Sequence, residues 1–165
     1  MTDSDITIGP AGPDFGRWAE VHALLMQSFA YMKDRIDPPS SMNRLTLEGL
    51  IEKSGTEIAL IGTEDGAPVA CAFLDPRADC LYVGKVAVAP HLRGRGLTRR
   101  MFDIAEAEAQ RRGLPFLELQ TRIELLENHE TFRRLGFEKC GEDAHEGYDR
   151  PTSIRMRKPV GPQPK

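Results

Sequence analysis

The amino-acid sequence predicts a domain of the α/β (α+β) class, with a mixed, mostly antiparallel sheet of six to seven strands and about four helices. Three observations lead to this fold class. Apolar residues recur at helical spacing between Phe15 and Met32. Asp65-Gly66 is a hairpin turn signal between two apolar runs. A strand, a helix and a strand follow one another around Gly113, which indicates a parallel pair joined by a right-handed crossover.

The elements follow in order along the chain. We predict strands at 6–8, 57–62, 68–74, 81–89, 116–120, 137–140 and 151–158. We predict helices at 15–32, 46–53, 97–112 and 125–135. The buried stripe of the first helix would consist of Trp18, Val21, Leu25, Phe29 and Met32. The second helix, with Thr46 as its N-cap, would turn Leu47, Leu50 and Ile51 inward.

Composition bounds the class of protein. With 165 residues, 40% of them hydrophobic and 28% charged, the chain fits one globular domain, which we place at 1–160, followed by a flexible tail at 161–165. No apolar run approaches the ~18 residues of a membrane span. The formal net charge of -3 argues against nucleic-acid binding.

The three cysteines show no C-x-x-C spacing, and no His/Cys/Asp cluster has the spacing of metal ligands. An odd number of cysteines behind an acidic, polar N-terminus predicts reduced thiols. We therefore expect a cytoplasmic protein without a metal site.

The run from Val86 to Arg100 is the most informative part of the chain. An apolar segment ends at Pro90, a loop with two glycines and several arginines follows, and an amphipathic helix then begins. Glycines let a backbone approach an anion closely, and a helix N-terminus offers free N–H groups and the positive end of a dipole. This is chemistry suited to a pyrophosphate. Neither a Walker A loop nor the dinucleotide pattern G-x-G-x-x-G is present, because Arg99 stands where the third glycine would fall.

The loop resembles the acetyl-CoA loop of the GNAT superfamily of N-acetyltransferases, whose core pattern is Q/R-x-x-G-x-G/A. Arg93 and Gly96 match this pattern, and Thr98 departs from it where Gly or Ala is usual. A second segment, 127–137, is similar to the closing motif of the superfamily and ends in Leu135-Gly136-Phe137. The two motifs stand in the family's order with a strand–helix–strand unit between them, and the predicted element order is also the family's.

The resemblance implies that strands 81–89 and 116–120 splay apart and that the pantetheine arm of acetyl-CoA lies between them. The main chain at 86–88 would contact the arm and supply an oxyanion N–H, segment 93–99 would hold the pyrophosphate, and Asn128 would lie near the thioester. The cofactor-binding residues implied in this way are Val86, Ala87, Val88, Arg93, Gly94, Arg95, Gly96, Leu97, Thr98, Arg99, Asn128 and Phe132.

Phe132 stands where many members of the superfamily carry a tyrosine that protonates the departing thiolate. Water, another phenol or no acid at all would then complete the reaction. Tyr148, Glu118 and Tyr82 are the candidate catalytic residues. Their structural alternatives are an exposed loop aromatic, a partly solvated strand face, and a core or sheet-surface side chain, respectively. His145 and His129 are expected to be solvated or hydrogen-bonded rather than catalytic.

The expected function is transfer of an acetyl group from acetyl-CoA to a primary amine of a small molecule or protein, by direct attack on the thioester. Phe29, Tyr31, Met32 and the loop 35–42 would shape the acceptor side. A non-catalytic acyl-CoA-binding sensor or assembly module of the same fold is the alternative, and a phosphate-binding loop unrelated to CoA is a third possibility. No membrane or nucleic-acid partner is expected, and a homodimer remains open because relatives often dimerise.

Overall fold

The computed structural model describes residues 5–161, which form seven strands and four α-helices. The strands are β1 (Ile6–Pro10), β2 (Ile58–Glu64), β3 (Ala67–Pro76), β4 (Cys80–Val88), β5 (Phe116–Arg122), β6 (Glu138–Asp143) and β7 (Ser153–Pro159). The helices are α1 (Trp18–Phe29), α2 (Leu47–Thr56), α3 (Leu97–Arg112) and α4 (Leu126–Arg134). Residues 162–165, most of the predicted tail, lie outside the described residues.

All seven strands belong to one sheet in the order β1-β2-β3-β4-β5-β7-β6. β4 and β5 pair in parallel, and every other neighbouring pair is antiparallel. The predicted mixed, mostly antiparallel sheet with one central parallel pair and four helices is therefore confirmed.

The sheet has an apolar core on each face. On one face, α1 packs against β3 and β4, and its residues Val21 and Leu25 are completely buried. On the other face, Met101 and Ala105 of α3 meet Leu117 of β5 and Phe137, which follows α4. The parallel pair at the centre of the sheet is thus held between two cores.

Local sequence signals explain several element boundaries. The Thr46 side chain accepts a 3.0 Å hydrogen bond from the N–H of Gly49 and caps α2 as predicted. Gly113 ends α3 in the left-handed conformation, with φ 70°. Asp65 and Gly66 both have positive φ in the turn between β2 and β3, as a tight hairpin requires.

Some predictions for the helices on the first face are wrong. The first helix begins at Trp18 rather than Phe15, and it ends at Phe29 because a 3₁₀ turn takes over at Ala30–Met32. In α2 only Leu50 is buried, whereas Leu47 and Ile51 are 38% and 45% exposed. The surface through which α2 contacts the rest of the protein is narrower than its apolar face. Two of the three side chains predicted to be buried are therefore exposed to solvent.

Candidate active site

A cleft of about 810 Å³ opens where β4 and β5 separate. The two strands pair only from Cys80 with Phe116 to Tyr82 with Glu118. Beyond that point the cleft lies between them, lined by β4 from Tyr82 to Val88 and by β5 from Leu119 to Arg122. The predicted splay of the parallel pair is confirmed.

A β-bulge at Lys85 shapes the β4 side of this cleft. Cys71 and Phe73 of β3 face Ala87 and Gly84, so β4 has one more residue than its partner across the same stretch. Lys85 takes up this residue with φ 52°, a left-handed conformation that is uncommon for a side chain other than glycine. The bulge inverts the side-chain alternation of the strand, because Leu81 and Val83 face the α3 core, whereas Ala87 and Ala89 face the α1 core.

The backbone beyond the bulge offers an N–H group to the cleft. The N–H of Ala89 donates to the carbonyl of Val69 at 2.8 Å and so points towards β3. Successive N–H groups of a strand point in opposite directions, so the N–H of Val88 points towards β5 and into the gap. A carbonyl oxygen lying in the cleft beside Val88 would meet this donor.

The loop from Arg93 to Gly96 lies at the mouth of the cleft and leads into α3. Gly94 and Gly96 have φ values of 78° and 80°, and a Cβ built on either would meet no atom within 4 Å. The requirement for glycine is therefore conformational, and the open space beside both residues is available to a ligand. The first turn of α3 carries N–H groups without helical acceptors, which is the arrangement that binds phosphates.

Arginine side chains surround this loop. Arg93 lines the cleft together with Gly94, Gly96, Leu97 and Thr98. Arg95 and Arg99 are exposed and stand outside its wall. Such a cluster supplies positive charge for a pyrophosphate.

Helix α4 forms the wall beyond the loop. Asn128 and Phe132 both line the cleft. Phe132 also packs edge-to-face on Phe102 and Phe137, with ring centroids 6.0 and 6.2 Å away. The ring that replaces the expected tyrosine is therefore anchored in an aromatic cluster.

A sequence model described as the acetyltransferase (GNAT) family matches residues 18–137, well over half of the chain. The chain belongs to the acetyltransferase (GNAT) family. Membership of this family makes the chain an acyltransferase. No curated protein sequence is similar enough to the chain to count as a match.

Solved structures of GNAT proteins share this fold. An aminoglycoside 6'-acetyltransferase type Ii aligns over 96% of this chain and 99% of its own, with a TM-score of 0.76 at 18% identity. The ribosomal-protein-S18-alanine N-acetyltransferase from Escherichia coli aligns over 97% of each chain, with a TM-score of 0.69 at 18% identity. A GNAT family acetyltransferase from Elizabethkingia anophelis with acetyl-CoA bound aligns over 96% of this chain and 100% of its own, with a TM-score of 0.68 at 14% identity.

Tyr148, one of the three predicted catalytic residues of this GNAT protein, lies outside the cleft wall. Its phenol donates a 2.6 Å hydrogen bond to Oδ1 of Asp37. That hydrogen bond is the main cause that raises the pKa of Tyr148. The phenolic proton is thus committed to a contact between two loops.

Glu118 also lies outside the cleft wall, and the residue is buried, with 5% exposure. Arg157 Nε donates to its Oε1 at 2.9 Å, and Arg77 Nη1 lies 3.6 Å from its Oε2. Arg157 also binds Asp79, and hydrogen bonds to Glu118 and then Asp79 raise the pKa of the Arg157 guanidinium. Both oxygens of Glu118 are engaged by guanidinium groups, an arrangement that favours a structural role over proton transfer.

Tyr82 is the one predicted catalytic residue on the cleft wall. The Arg77 guanidinium stacks over its ring at 4.0 Å from the centroid. Burial raises the pKa of Tyr82, and the nearby charge of Arg77 partly opposes the shift. Its phenol therefore stays protonated at neutral pH.

His145, which the sequence pattern does not mark as catalytic, lines the cleft. The Thr152 hydroxyl donates to the Asp143 carbonyl at 3.3 Å and contacts Nδ1 of His145. With its proton on the Asp143 carbonyl, the Thr152 hydroxyl accepts from Nδ1–H, and this tautomer leaves Nε2 with a lone pair. Burial and then the charge of Arg122 lower the pKa of His145, so the ring is neutral at pH 7.

Tyr31, which the sequence analysis expects on the acceptor side, is a second side chain of the cleft wall without a predicted chemical role. It lines the cleft opposite α4, and Asn128 Nδ2 donates to its phenolic oxygen at 3.4 Å. The phenolic proton is not used in that contact. No single-sequence signal identifies this pairing, because the two residues are 97 positions apart.

Within residues 5–161, no helix is long and apolar enough to cross a membrane. The same described part of the chain contains no group of His, Cys, Asp and Glu side chains arranged to hold a metal ion.

Proposed function

We propose that the protein is an acetyl-CoA-dependent N-acetyltransferase that transfers the acetyl group to a primary amine of a small molecule or protein. The observation that carries this proposal is the conjunction of the 93–98 loop with the gap between β4 and β5. One end of the cleft provides N–H groups and Arg93 for a pyrophosphate, and the gap can take an extended arm. The three free thiols support a reducing compartment such as the cytoplasm.

The residues of the cleft fit acetyl-CoA in their chemistry. Segment 93–99 would hold the pyrophosphate through main-chain N–H groups and arginines, and the strand backbone at 86–88 would flank the pantetheine arm. The Elizabethkingia anophelis structure holds acetyl-CoA on the same fold, which supports this assignment. Acetyl-CoA supplies the acetyl group as an activated thioester.

The N–H of Val88 would stabilise the negative charge that develops on the thioester carbonyl oxygen. This donor is fixed by the sheet, because Ala89 binds Val69 on the other side of the strand. A preorganised donor needs no reorganisation when charge develops, and removing one such donor typically costs about 10²–10³ in kcat.

His145 would take the proton from the acceptor ammonium, directly or through a water molecule. An alkyl ammonium has a pKa near 10.4, so it must lose a proton before it can attack. The Nε2 lone pair of a neutral imidazole can accept that proton, and Thr152 fixes the tautomer. Glu118 lacks this freedom because two arginines occupy its oxygens.

Tyr31 would donate a proton to the departing thiolate in place of the tyrosine that Phe132 replaces. Its hydroxyl is oriented by Asn128, one helical turn before Phe132, and keeps its proton available. Tyr82 is the other phenol on the cleft wall and the alternative donor. The non-catalytic acyl-CoA sensor remains the second candidate function, and the ring of Phe132, which has no proton to donate, is the observation that favours it.

The first test is a calorimetric titration of the protein with acetyl-CoA, with ATP and NADPH as controls. The proposal expects binding in the micromolar range for acetyl-CoA only, followed by amine-dependent release of CoA. Binding without release for any amine would support the sensor. Absence of acetyl-CoA binding at millimolar concentration would refute both functions.

A further inference from the structure

The acceptor end of the cleft contains a cation without a counter-ion. Lys85 lines the cleft at the β-bulge, and its Nζ lies 3.6 Å from Sδ of Met42. Of the nearest charged groups, Lys53 and Glu57 form an ion pair with each other. Within residues 5–161, no carboxylate lies within ion-pair distance of Lys85. Burial, followed by the charge of Lys53, lowers the pKa of Lys85, and the nearby charge of Glu57 partly opposes this shift.

A buried hydroxyl without a partner lines the same cleft. Ser28 lies on α1 and is 7% exposed, yet its Oγ makes no hydrogen bond within the described part of the chain. A buried polar group normally finds a partner, because leaving it without one is costly. The unpaired hydroxyl and the unpaired ammonium are independent observations, and both indicate a missing acceptor of hydrogen bonds.

The carboxylates of the cleft are accounted for. Glu127 is the one carboxylate residue on the wall formed by the described residues. Arg35 holds it, with Nη2 donating to Oε2 at 2.9 Å. Among the residues that line the wall, none has a free carboxylate for the additional ammonium groups of a polycationic acceptor, whereas Lys85 has an unpaired positive charge. Glu124 lies beside the wall with its Oε1 buried and not hydrogen-bonded, and its charge acts on Arg122 and His145.

We propose that the acceptor carries an oxyanion, a carboxylate or a phosphate, in addition to its reactive amine, and that Lys85 and Ser28 bind this oxyanion. This inference rests on the proposed function and narrows its substrate class to small anionic amines. The ammonium of Lys85 pairs with the oxyanion, and the hydroxyl of Ser28 donates to it. Charge-assisted hydrogen bonds of this kind are roughly twice as strong as neutral ones.

The test compares acceptors that differ only in the oxyanion. β-Alanine and β-alanine amide form one pair, phosphoethanolamine and ethanolamine form a second, and spermidine represents a polycation. Release of CoA gives kcat and KM for each acceptor. Thermal shifts of the CoA complex give binding without turnover, and the two pairs distinguish carboxylate from phosphate.

Four variants test which residues cause the preference for anionic acceptors. Lys85→Met removes the charge, Lys85→Arg keeps it, and Ser28→Ala removes the hydroxyl. Lys33→Met is the matched control, because Lys33 is an exposed lysine outside the cleft wall. We expect Lys85→Met to raise KM for one anionic acceptor by about 10- to 100-fold with little change for its neutral counterpart. Lys85→Arg should retain most of the preference, Ser28→Ala should lose part of it, and Lys33→Met should behave as wild type.

The two proposals fail in different ways. Turnover of neutral and anionic amines with equal kcat/KM, or a preference for spermidine, would overturn the oxyanion site and leave the acetyltransferase intact. Loss of activity with every acceptor in both Lys85 variants would also overturn the oxyanion site, because Lys85 would then act as the base. Stabilisation of the CoA complex by β-alanine or phosphoethanolamine that needs Lys85, without turnover of any amine, would support the oxyanion site and refute catalysis. Absence of any oxyanion-dependent stabilisation or turnover would overturn the oxyanion site.

Discussion

Tyr148 and Asp37, which are 111 positions apart, are joined by a 2.6 Å hydrogen bond outside the wall of the cleft. Arg150 Nη2 binds the other carboxylate oxygen of Asp37 at 3.1 Å, and the N–H of Asp37 donates to Glu124 at 3.0 Å. The loop after α1 and the loop between β6 and β7 are thereby held together. His145 lies in the second of these loops, so the same contact supports the position of the proposed base.

Breaking this contact should impair acceptor use and spare acetyl-CoA binding. We expect Tyr148→Phe and Asp37→Asn each to raise the acceptor KM by about three- to tenfold, because the loops lose a shared anchor. The double variant should be little worse than Asp37→Asn alone, since both changes remove one interaction. Steady-state kinetics measure the acceptor KM, and titration with acetyl-CoA measures the affinity for the cofactor. A tenfold loss of acetyl-CoA affinity would contradict it.

Gly94 and Gly96 should be needed for acetyl-CoA affinity. Replacement of either by Val forces a β-branched residue into a left-handed conformation and fills the space beside the loop, so we expect Kd to rise at least about 30-fold. Gly113→Ala is the matched control, because Gly113 has φ 70° at the other end of α3 and equally open surroundings. It should lower the melting temperature without changing Kd. Equal effects of all three variants on Kd would show that the loop does not bind the cofactor.

The pH profile should report His145. A base must be unprotonated, and the pKa of His145 is lowered from 6.5 by burial and Arg122, so kcat/KM should rise with pH through a pKa below 6.5 and then level off. His145→Gln should lose this limb and about 10²- to 10⁴-fold in rate. His129→Gln serves as the control, because the ring of His129 binds the Arg122 carbonyl at 2.9 Å and lies outside the cleft wall. A limb that survives in His145→Gln would assign the base elsewhere.

Two phenols can be tested against each other as the acid. Tyr31→Phe should lower kcat by about tenfold or more and leave acetyl-CoA binding unchanged, because it removes one proton donor and little packing. Tyr82→Phe should change kcat less. Phe132→Tyr returns a phenol to the position where many family members carry a tyrosine. Added to Tyr31→Phe, it should restore part of the lost kcat. If Tyr82→Phe proves to be the slower enzyme, the donor is on β4 and not on the segment after α1.

Glu118 should matter for stability rather than for chemistry. Its carboxylate is buried between Arg157 and Arg77, so Glu118→Gln leaves Arg157 with a weaker partner and should cost about 2 kcal/mol of unfolding free energy. Denaturant unfolding measures this loss, and kcat/KM of the folded variant should remain within about threefold of wild type. If Glu118→Gln is as stable as wild type but slow with every acceptor, Glu118 is a candidate for the general base.

Much of the fold was predictable because its signals are local. The Asp65-Gly66 turn and the Thr46 cap each depend on a few neighbouring residues, and both are confirmed. The positive φ values of Gly94 and Gly96 agree with the conformational requirement for glycine in this loop, whereas their contact with a pyrophosphate stays a prediction. Leu47 and Ile51 were predicted wrongly because periodicity shows which side of a helix is apolar, not how wide the surface is that receives it.

The side chains of the site were harder to predict because their roles depend on distant partners. The tautomer of His145 depends on Thr152 and Asp143, and the contacts of Tyr31 depend on Asn128. The partners of Glu118 become visible only when β7 pairs with β5 and places Arg157 opposite. A pattern along one sequence contains none of this pairing.

The bulge at Lys85 also constrains how this domain can be recombined with others. The extra residue inverts the side-chain alternation of β4. The face to which each side chain points, from Val86 to the start of the loop, is therefore set by the bulge at Lys85 and not by the beginning of the strand. Consider a chimera in which the segment from Pro90 onwards follows a strand of another protein that has no bulge. The apolar side chains of that strand would face the wrong cores, and its N–H groups would point away from the gap. Exchange of the loop between domains therefore succeeds only when the crossover lies before Gly84, so that strand, bulge and loop move as one unit.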